Sequence, residues 1–597
     1  MKRQAHYLEY LYCLLLVVFF IGRLVFVIYN RHLDGFSFWD VLDVCRVGLL
    51  AHDLFVTSFL LLVPWLVGLL ALRHPSFPLR KVLVPYYLLL GISVGAIVVA
   101  DIVMYEFWQF KLSAVVLSYA ASPEGATNSV SLSFLISRVC LVLFFVLLTI
   151  IPSIWVTPKQ LQVTYGVKLW FRNLSIIWVF FLLIGGVFTK VGDAYYSSRL
   201  FLNHAAVNPV YAFASSFPYA KTYADRYNYF DEAERAELFD GLYPVDTEDV
   251  TDTLLRVRRP NVLFVFMESF GGKFVRELGG LPDVAPNLSR LIPEGVFWEN
   301  YYSNSFRTDR GTVSTYSGSV SYPDVCLMKE RSMHDRLPSI AKSLAQNGYE
   351  TSYLYAGAMT NMGKRDYLSD MSFHNLLDYT CFTPEELSGS WGADDDVSAM
   401  KAFHLVAQTD SAQHWMLAYQ TLSSHEPWKV PYHRLENEKL NAFAYTDQCL
   451  GDLVDSLRTL PQWDNLLVIV LPDHGFLYEQ NYQDPEFFHS PMLWLGGAIR
   501  EPRQMSVLMN QSDLCATLLS QMGISHQEYP WSRNVLSANY TYPFVYCNYP
   551  AGLLYRDSTG VSIFDIMADT PILEEPQDDG IRQMKAQSIL QTSYDDL

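Results

Sequence analysis

Long apolar runs fill the first third of the chain, and a shorter rhythm replaces them afterwards. The runs lie near Leu11–Tyr29, Phe55–Leu72, Val82–Val103, Val139–Val156 and Trp170–Phe188. Each approaches the roughly 20 residues that cross a hydrocarbon core of about 30 Å. Five in succession predict membrane spans rather than buried core helices. The first is not read as a cleaved signal peptide, because four more follow it.

After Pro260 the pattern changes to short, continuous apolar runs of strand length. These are Asn261–Met267 (NVLFVFM), Thr351–Tyr355, Trp415–Tyr419, Leu466–Leu471 and Pro491–Leu495. Helix-like segments such as Leu337–Asn347 and Ala442–Leu457 alternate with them. That alternation predicts an α/β domain with a mostly parallel central sheet flanked by helices. Between Tyr542 and Asp565 two β-like runs flank Asp557-Ser558-Thr559-Gly560, a hairpin signal. The expected organisation is a five-span membrane domain over 1–190 and a juxtamembrane amphipathic connector over 191–259. The α/β domain follows over 260–545, then a β-hairpin and an acidic tail over 546–597. Within the connector, Phe230–Leu242 reads as a short surface helix, and the tail beyond Pro576 reads as a surface appendage.

Charge adds an orientation. Lys2, Arg3, Arg73, Arg80, Lys81, Lys159, Lys168 and Arg172 fall on one side of the spans. Only Arg31, Arg46 and Lys111 fall on the other, among acidic residues. The positive-inside rule then places the N-terminus in the cytoplasm and everything after about residue 190 outside, on the extracytoplasmic or periplasmic face of the cell membrane. Asp101 and Arg138, near span ends, read as snorkelling residues. The formal charge of −18 and the lack of a basic stripe exclude a nucleic-acid binder. Eight cysteines without CxxC spacing exclude a cysteine zinc site and leave room for one or two disulfides outside.

Candidate chemistry collects where the strands end, which is where open α/β sheets bind ligands. NVLFVFM runs into Glu268, and LLVIVL into Pro472-Asp473-His474-Gly475. The strand WMLAYQ leads to Ser423-Ser424-His425-Glu426, TSYLY to a loop with Lys364-Arg365, and His489 precedes PMLWLGG. The other notable stretch is Phe306-Arg307-Thr308-Asp309-Arg310-Gly311, a hydroxyl between two arginines. A hydroxyl needs a base or a metal to become a nucleophile, and guanidiniums suit the charge of a transferred phosphoryl or sulfuryl group. Glu268, Asp473 and His474 with the Thr308 oxygen make a candidate divalent-metal site. Thr312, Ser314 and Thr315 are competing hydroxyls in the same loop.

The order Glu268, Thr308, Asp473-His474, with the segments PNVLFVFMESF, FRTDRG, SSHEPW and LPDHG, resembles the sulfatase-like branch of the alkaline phosphatase superfamily. With five preceding spans, the chain resembles the lipoteichoic acid synthase group of membrane phosphoglycerol transferases. The resemblance implies Glu268, Thr308, Asp473 and His474 as metal ligands and Thr308 as the nucleophile of a phospho-threonine intermediate. It implies Arg307 beside that nucleophile, and His425, Arg365 and His489 on the substrate side. One divalent ion is expected, Mn²⁺ first, with Mg²⁺ or Zn²⁺ as alternatives. The donor would be a phospholipid of the outer leaflet and the acceptor a glycan or lipid. Phosphoglycerol is the favoured head group, with phosphoethanolamine transfer or a non-catalytic lipid-sensing or docking protein as alternatives. Two positions depart from the family: Arg307 replaces a lysine before the nucleophile, and Met362-Gly363-Lys364 replaces an expected aromatic residue near Arg365.

Overall fold

A computed structural model describes residues 6–74, 76–117, 132–217, 222–244, 251–410 and 413–597. The chain divides into two compact units, one of residues up to 219 with 566–570, the other of nearly all the rest.

The first unit is helical: α1 (Tyr7–Tyr29), α2 (Phe38–Gly48), α3 (Leu54–Leu60), α4 (Leu62–Arg73), α5 (Leu79–Trp108), α6 (Leu132–Val156) and α7 (Tyr165–Phe188). Helices α1, α5, α6 and α7 are each long and apolar enough to span a bilayer, so the chain is a multi-pass membrane protein. The expected span Phe55–Leu72 is not one straight helix. The stretch Phe38–Leu60 meets α4 at Leu61 with a 42° bend. The cause is Pro64, which has no N–H for the Leu60 carbonyl; the Tyr86 hydroxyl donates to that carbonyl instead.

Asp101 is paired rather than snorkelling, and Arg138 lies over the Tyr29 and Phe134 rings. Asp101 is buried and accepts from Lys111 Nζ and the Leu112 N–H. Arg23 makes a two-pronged bond to Asp53 and donates to the carbonyls of Ala205 and Ala206. Burying an ion in such surroundings is costly unless it is paired and hydrogen-bonded. These carbonyls belong to α8 (Leu200–Ala206), which precedes α9 (Pro209–Ser215). Part of the expected connector is therefore built into the helical unit.

The second unit carries α10 (Glu232–Phe239) and a nine-stranded sheet. Its strands are β1 (Asn261–Met267), β2 (Val296–Tyr302), β3 (Tyr349–Tyr355), β4 (Asn375–Leu377), β5 (His414–Gln420), β6 (Leu466–Pro472), β7 (His489–Leu495), β8 (Arg503–Met505) and β9 (Met509–Asn510). The order is β4-β3-β5-β1-β6-β7-β2-β8, with β9 beside β2. Strands β3, β5, β1 and β6 run parallel, and β7 is antiparallel to both neighbours. All five apolar runs read from the sequence are strands here. β2 escapes that reading because Glu299 and Asn300 interrupt it at an irregularity between Trp298 and Tyr301.

Both faces of the sheet are covered. Leu263, Val265 and Met267 share a core with Phe443, Leu450 and Val454. On the opposite face Phe264 and Phe266 meet Tyr316, each at 5.6 Å between ring centroids. Tyr316 belongs to α11 (Thr308–Ser317), and Phe443 to α14, with α12 (Lys364–Asp370) and α13 (Asp395–Ala407) preceding α14 (Glu438–Leu457).

The C-terminal part is larger than expected. Instead of one hairpin, β10 (Phe544–Tyr549), β11 (Gly552–Asp557), β12 (Gly560–Asp565) and β13 (Thr570–Glu575) form a four-stranded sheet. The expected hairpin joins β11 to β12, with Asp557 opposite Gly560. The tail is not a surface appendage: helix α15 (Ile581–Asp595) buries Arg582, Ile589, Leu590 and Tyr594. Arg582 tolerates burial because Ser562, Thr559 and the Pro576 carbonyl accept from its guanidinium. All eight cysteines are unpaired.

Candidate active site

The central strands fix the site through register. Met267 of β1 lies opposite Pro472 of β6, and Phe266 opposite Gln420 of β5. The next residues out of these strands, Glu268, Asp473 and Thr421, therefore leave the sheet side by side. The Glu268 N–H bonds to Thr421 Oγ1 at 2.9 Å and its carbonyl accepts from Ser424 Oγ at 2.7 Å. Ser269 takes a left-handed backbone at φ 56°, which is unusual for a residue with a Cβ and marks held strain. That turn points its N–H at Asp473 Oδ1, 2.7 Å away, and its hydroxyl at Glu268 Oε1, 3.0 Å away. Ser269 was not legible in the sequence, because its role lies in a backbone dihedral.

Glu268, Asp473 and His474 are buried, and one ligand atom from each lies within 4.8 Å of the others. Nδ1 of His474 donates to the Gly475 carbonyl at 2.6 Å. In a neutral ring this leaves the Nε2 lone pair facing the carboxylates, 3.8 Å from Glu268 and 3.6 Å from Asp473. Oδ2 of Asp473 is buried with no hydrogen-bond partner among the described residues. Burial pushes the Asp473 carboxyl above the usual carboxylate range, and the Glu268 charge adds to it. For Glu268 burial acts in the same direction, but the surrounding basic side chains outweigh it and hold the carboxyl low. Two adjoining carboxylates, an orphaned oxygen and an imidazole lone pair form a donor set that fits a divalent cation.

Thr308 is the first residue of α11, where the helix dipole is positive. Its Oγ1 lies 3.3 and 3.4 Å from the Glu268 oxygens and 3.5 Å from His474 Nε2. The competing hydroxyl of Thr312 is spent on the Thr308 carbonyl at 2.7 Å, while Ser314 and Thr315 are buried within the helix. Of these four, only Thr308 meets the cluster. The two arginines diverge. Arg307 is half-buried at the helix cap, whereas Arg310 is buried, donates to the Tyr322 carbonyl and lies 3.6 Å from Asp309. Arg310 therefore anchors the helix start.

Helix α11 is seated against the strand end through Gly311. A Cβ at Gly311 would stand 2.0 Å from the Asp473 carbonyl oxygen. Gly311→Ala is expected to push Thr308 off the cluster, costing about 1–3 kcal/mol of stability together with most of the activity. Thermal melts and turnover assays check this; a fully active Gly311→Ala protein would show that the contact is not needed.

The substrate-side expectations fare unevenly. His425 packs edge-on against Trp391 at 4.6 Å and is one of the basic side chains around Glu268. Arg365 does not join the cluster: it bonds to Asp378 at 2.6 Å and its side chain is 44% exposed. Its neighbour Lys364 does. Lys364 is buried, donates to Gln420 Oε1 at 2.7 Å, and Gln420 Nε2 donates to Glu268 Oε2 at 3.2 Å. Burial lowers the Lys364 ammonium to about 8, against the opposing pull of Glu268 and Asp473. His489 is engaged elsewhere, with Nε2 2.6 Å from the Glu299 carbonyl and Nδ1 3.0 Å from Glu486.

Residues 260–524 match the family model described as Sulfatase. That stretch, which holds the whole candidate site, is similar to the sulfatase family. Phosphoglycerol transferase I of Xanthomonas campestris pv. campestris strain B100 is 24% identical over 248 residues, covering 36% of this chain and 34% of that protein. Its counterpart from Xanthomonas euvesicatoria pv. vesicatoria strain 85-10 is 25% identical over 244 residues, with the same coverage. The match thus spans about a third of the length of these relatives. A crystal structure of an alkaline phosphatase superfamily protein from Vibrio parahaemolyticus overlays with a TM-score of 0.53 at 23% identity, covering 62% of this chain and 97% of that one. The second unit shares its fold. The lipoteichoic acid synthase LtaP of Listeria monocytogenes gives a TM-score of 0.49 at 17% identity, covering 60% and 97%.

Proposed function

We propose that the chain transfers a phospholipid head group, phosphoglycerol first, to a glycan or lipid acceptor outside the cytoplasm. The observation that carries this reading is the placement of Thr308 Oγ1, at a helix N-terminus and within 3.3–3.5 Å of Glu268 and His474. The likeness to phosphoglycerol transferase I supports the choice of head group.

In this reading Glu268, Asp473, His474 and Thr308 hold one divalent cation, with Mn²⁺ favoured for a mainly oxygen donor set. When bound it supplies positive charge that acidifies the Thr308 hydroxyl and offsets charge on the phosphoryl oxygens. Thr308 Oγ1 gives up its proton and attacks phosphorus, forming an Oγ–P bond as the bond to the diacylglycerol oxygen breaks and that oxygen takes up a proton. The acceptor hydroxyl then loses its proton and attacks the same phosphorus as the Oγ–P bond breaks, and Thr308 Oγ1 takes up a proton to return to its free form. Arg307 steadies the charge on the phosphoryl oxygens. Lys364 and Gln420 orient the Glu268 carboxylate, and His425 faces the incoming head group.

The test is to give the purified full chain phospholipids labelled in the head group. Diacylglycerol is expected from phosphatidylglycerol. Release from phosphatidylethanolamine alone would reassign the head group, and release from neither would favour a docking protein. Topology is tested separately. The excess of basic residues on the N-terminal side predicts that a reporter fused after Leu597 is active only outside the cytoplasm; cytoplasmic activity would overturn the proposed access to outer-leaflet lipid.

A further inference from the structure

His425 sits one residue beyond a clamp on the metal cluster, since Thr421 and Ser424 bond to the N–H and carbonyl of Glu268. Those bonds fix its backbone; its ring is held by other means. Nδ1 lies 3.1 Å from the Glu426 carbonyl. A carbonyl only accepts, so Nδ1 carries the proton and in a neutral ring Nε2 keeps its lone pair. The same carbonyl accepts the indole N–H of Trp391. The Trp391 ring also stands edge-on to the His425 ring, with centroids 4.6 Å apart and planes at 64°. Trp391 thus meets the histidine twice, through the shared carbonyl and ring to ring.

The loop that carries Trp391 is firmly seated. Gly392 pairs with Gly357 just beyond the end of β3, and a Cβ at Gly392 would stand 2.0 Å from the Ala356 carbonyl oxygen. The Gly389 N–H closes the turn on the Gly392 carbonyl at 2.9 Å. Asp395, at the start of α13, then ties this loop to that of His425. Its Oδ1 accepts the N–H groups of Leu422 and Ser423 at 2.7 and 3.1 Å, and its own N–H donates to Ser423 Oγ at 2.9 Å.

Little space remains between the two loops. The cleft there, lined by Trp391, Asp394, Ser423, His425 and Lys429 among others, holds about 10 Å³, no more than one water. With Trp391 in place the imidazole cannot turn into it. Trp391 is half-buried and its flank packs on the core, which any large apolar side chain could do. An indole N–H aimed at the carbonyl that already serves His425 is not needed for that packing.

We propose that Trp391 is a positioning residue for His425, holding the ring in one orientation and one tautomer with Nε2 as the free nitrogen. On the head-group reading, Nε2 is the atom that this arrangement offers to substrate. The catalytic consequence rests on that reading, whereas the ring geometry is measured without lipid.

The experiment takes two readouts from the full chain in detergent. The first is NMR of protein labelled with ring-¹⁵N histidine at about pH 8.5, where an ordinary histidine is neutral. The His425 signals are those that vanish in His425→Gln. Wild type is expected to show the Nδ1–H tautomer alone, and Trp391→Leu a mixture of both. The second is diacylglycerol release from phosphatidylglycerol labelled in its head group. Trp391→Leu is expected to lower kcat/KM by about 10- to 100-fold, as a displaced group does. Trp391→Phe keeps a ring and loses the N–H, and should lose about threefold, as removal of one hydrogen bond gives. In a His425→Gln background Trp391→Leu should change the rate by less than about twofold, because effects that pass through one side chain do not add. Should Trp391→Leu fail to fold, Trp391→Phe decides through the ring spectrum, in which the second tautomer is still expected. An unchanged His425 spectrum, or an undiminished effect of Trp391→Leu in the His425→Gln background, would overturn the assignment. No release by wild type would overturn the head-group reading instead, and the spectrum would then decide the positioning claim alone.

Discussion

Thr308→Ala is expected to lower head-group transfer by roughly four orders of magnitude, because a covalent route cannot be bypassed once its nucleophile is gone. The substitution removes one oxygen and one methyl group from a half-buried position at the helix start, so the domain should fold and melt nearly as before. The neighbouring hydroxyls offer no substitute. Thr312 is bonded to the helix backbone, and Ser314 and Thr315 are buried along it. Arg307→Ala should cost less, about 2–4 kcal/mol of transition-state stabilisation, as expected for a group that only steadies charge. Turnover of labelled phosphatidylglycerol by the two variants measures both effects. Equal losses in the two would argue against a special role for the hydroxyl.

Asp473→Asn is expected to abolish activity and metal binding while making the metal-free protein more stable. Oδ1 of Asp473 accepts the N–H groups of Ser269 and His474, and an asparagine oxygen can keep both bonds. What disappears is a buried negative charge beside Glu268, with an oxygen that no described residue satisfies. Such a charge is costly without a compensating cation. Glu268→Gln should also lose activity, with affinity for Mn²⁺ falling by more than about 100-fold, beyond the loss typical of an outer-shell change, but without the gain in stability, because its surroundings favour the charged form. Metal content by elemental analysis and melting curves with and without chelator test this pair of effects. Unchanged metal content in both variants would mean that the cation site lies elsewhere.

The sequence reveals the parts of this molecule whose signal is apolar and continuous. Strands β1, β5, β6 and β7 are buried on both faces and read as unbroken runs, so the fold class and the strand-end residues Glu268 and Asp473-His474 follow from pattern alone. Polar burial leaves no such trace. Helix α15 reads as a surface segment, yet Arg582, Gln587 and Ser588 are buried in it. Their cost is met by hydrogen bonds that hydropathy cannot register. Helical phase is similarly hidden. Lys364 and Arg365 are adjacent and both basic, and a turn of about 100° sends one toward Gln420 and the other to Asp378. His489 directly precedes a buried strand segment, as a substrate residue could, but the pairing of Tyr302 with His489 brings the Glu299 carbonyl to its ring. The bend at Leu61 was written in Pro64, within a run whose hydropathy alone promised a straight span.

The central claim, a head group carried covalently on Thr308, is tested most directly by trapping the intermediate. Wild-type protein would be mixed with excess phosphatidylglycerol labelled in its glycerol head group, without acceptor, quenched, digested and mapped by mass spectrometry. The account predicts a phosphoglycerol adduct on the peptide containing Phe306–Arg310, assigned to Thr308 and absent from Thr308→Ala. Diacylglycerol release with that peptide unmodified, or an adduct on Thr312, would contradict it.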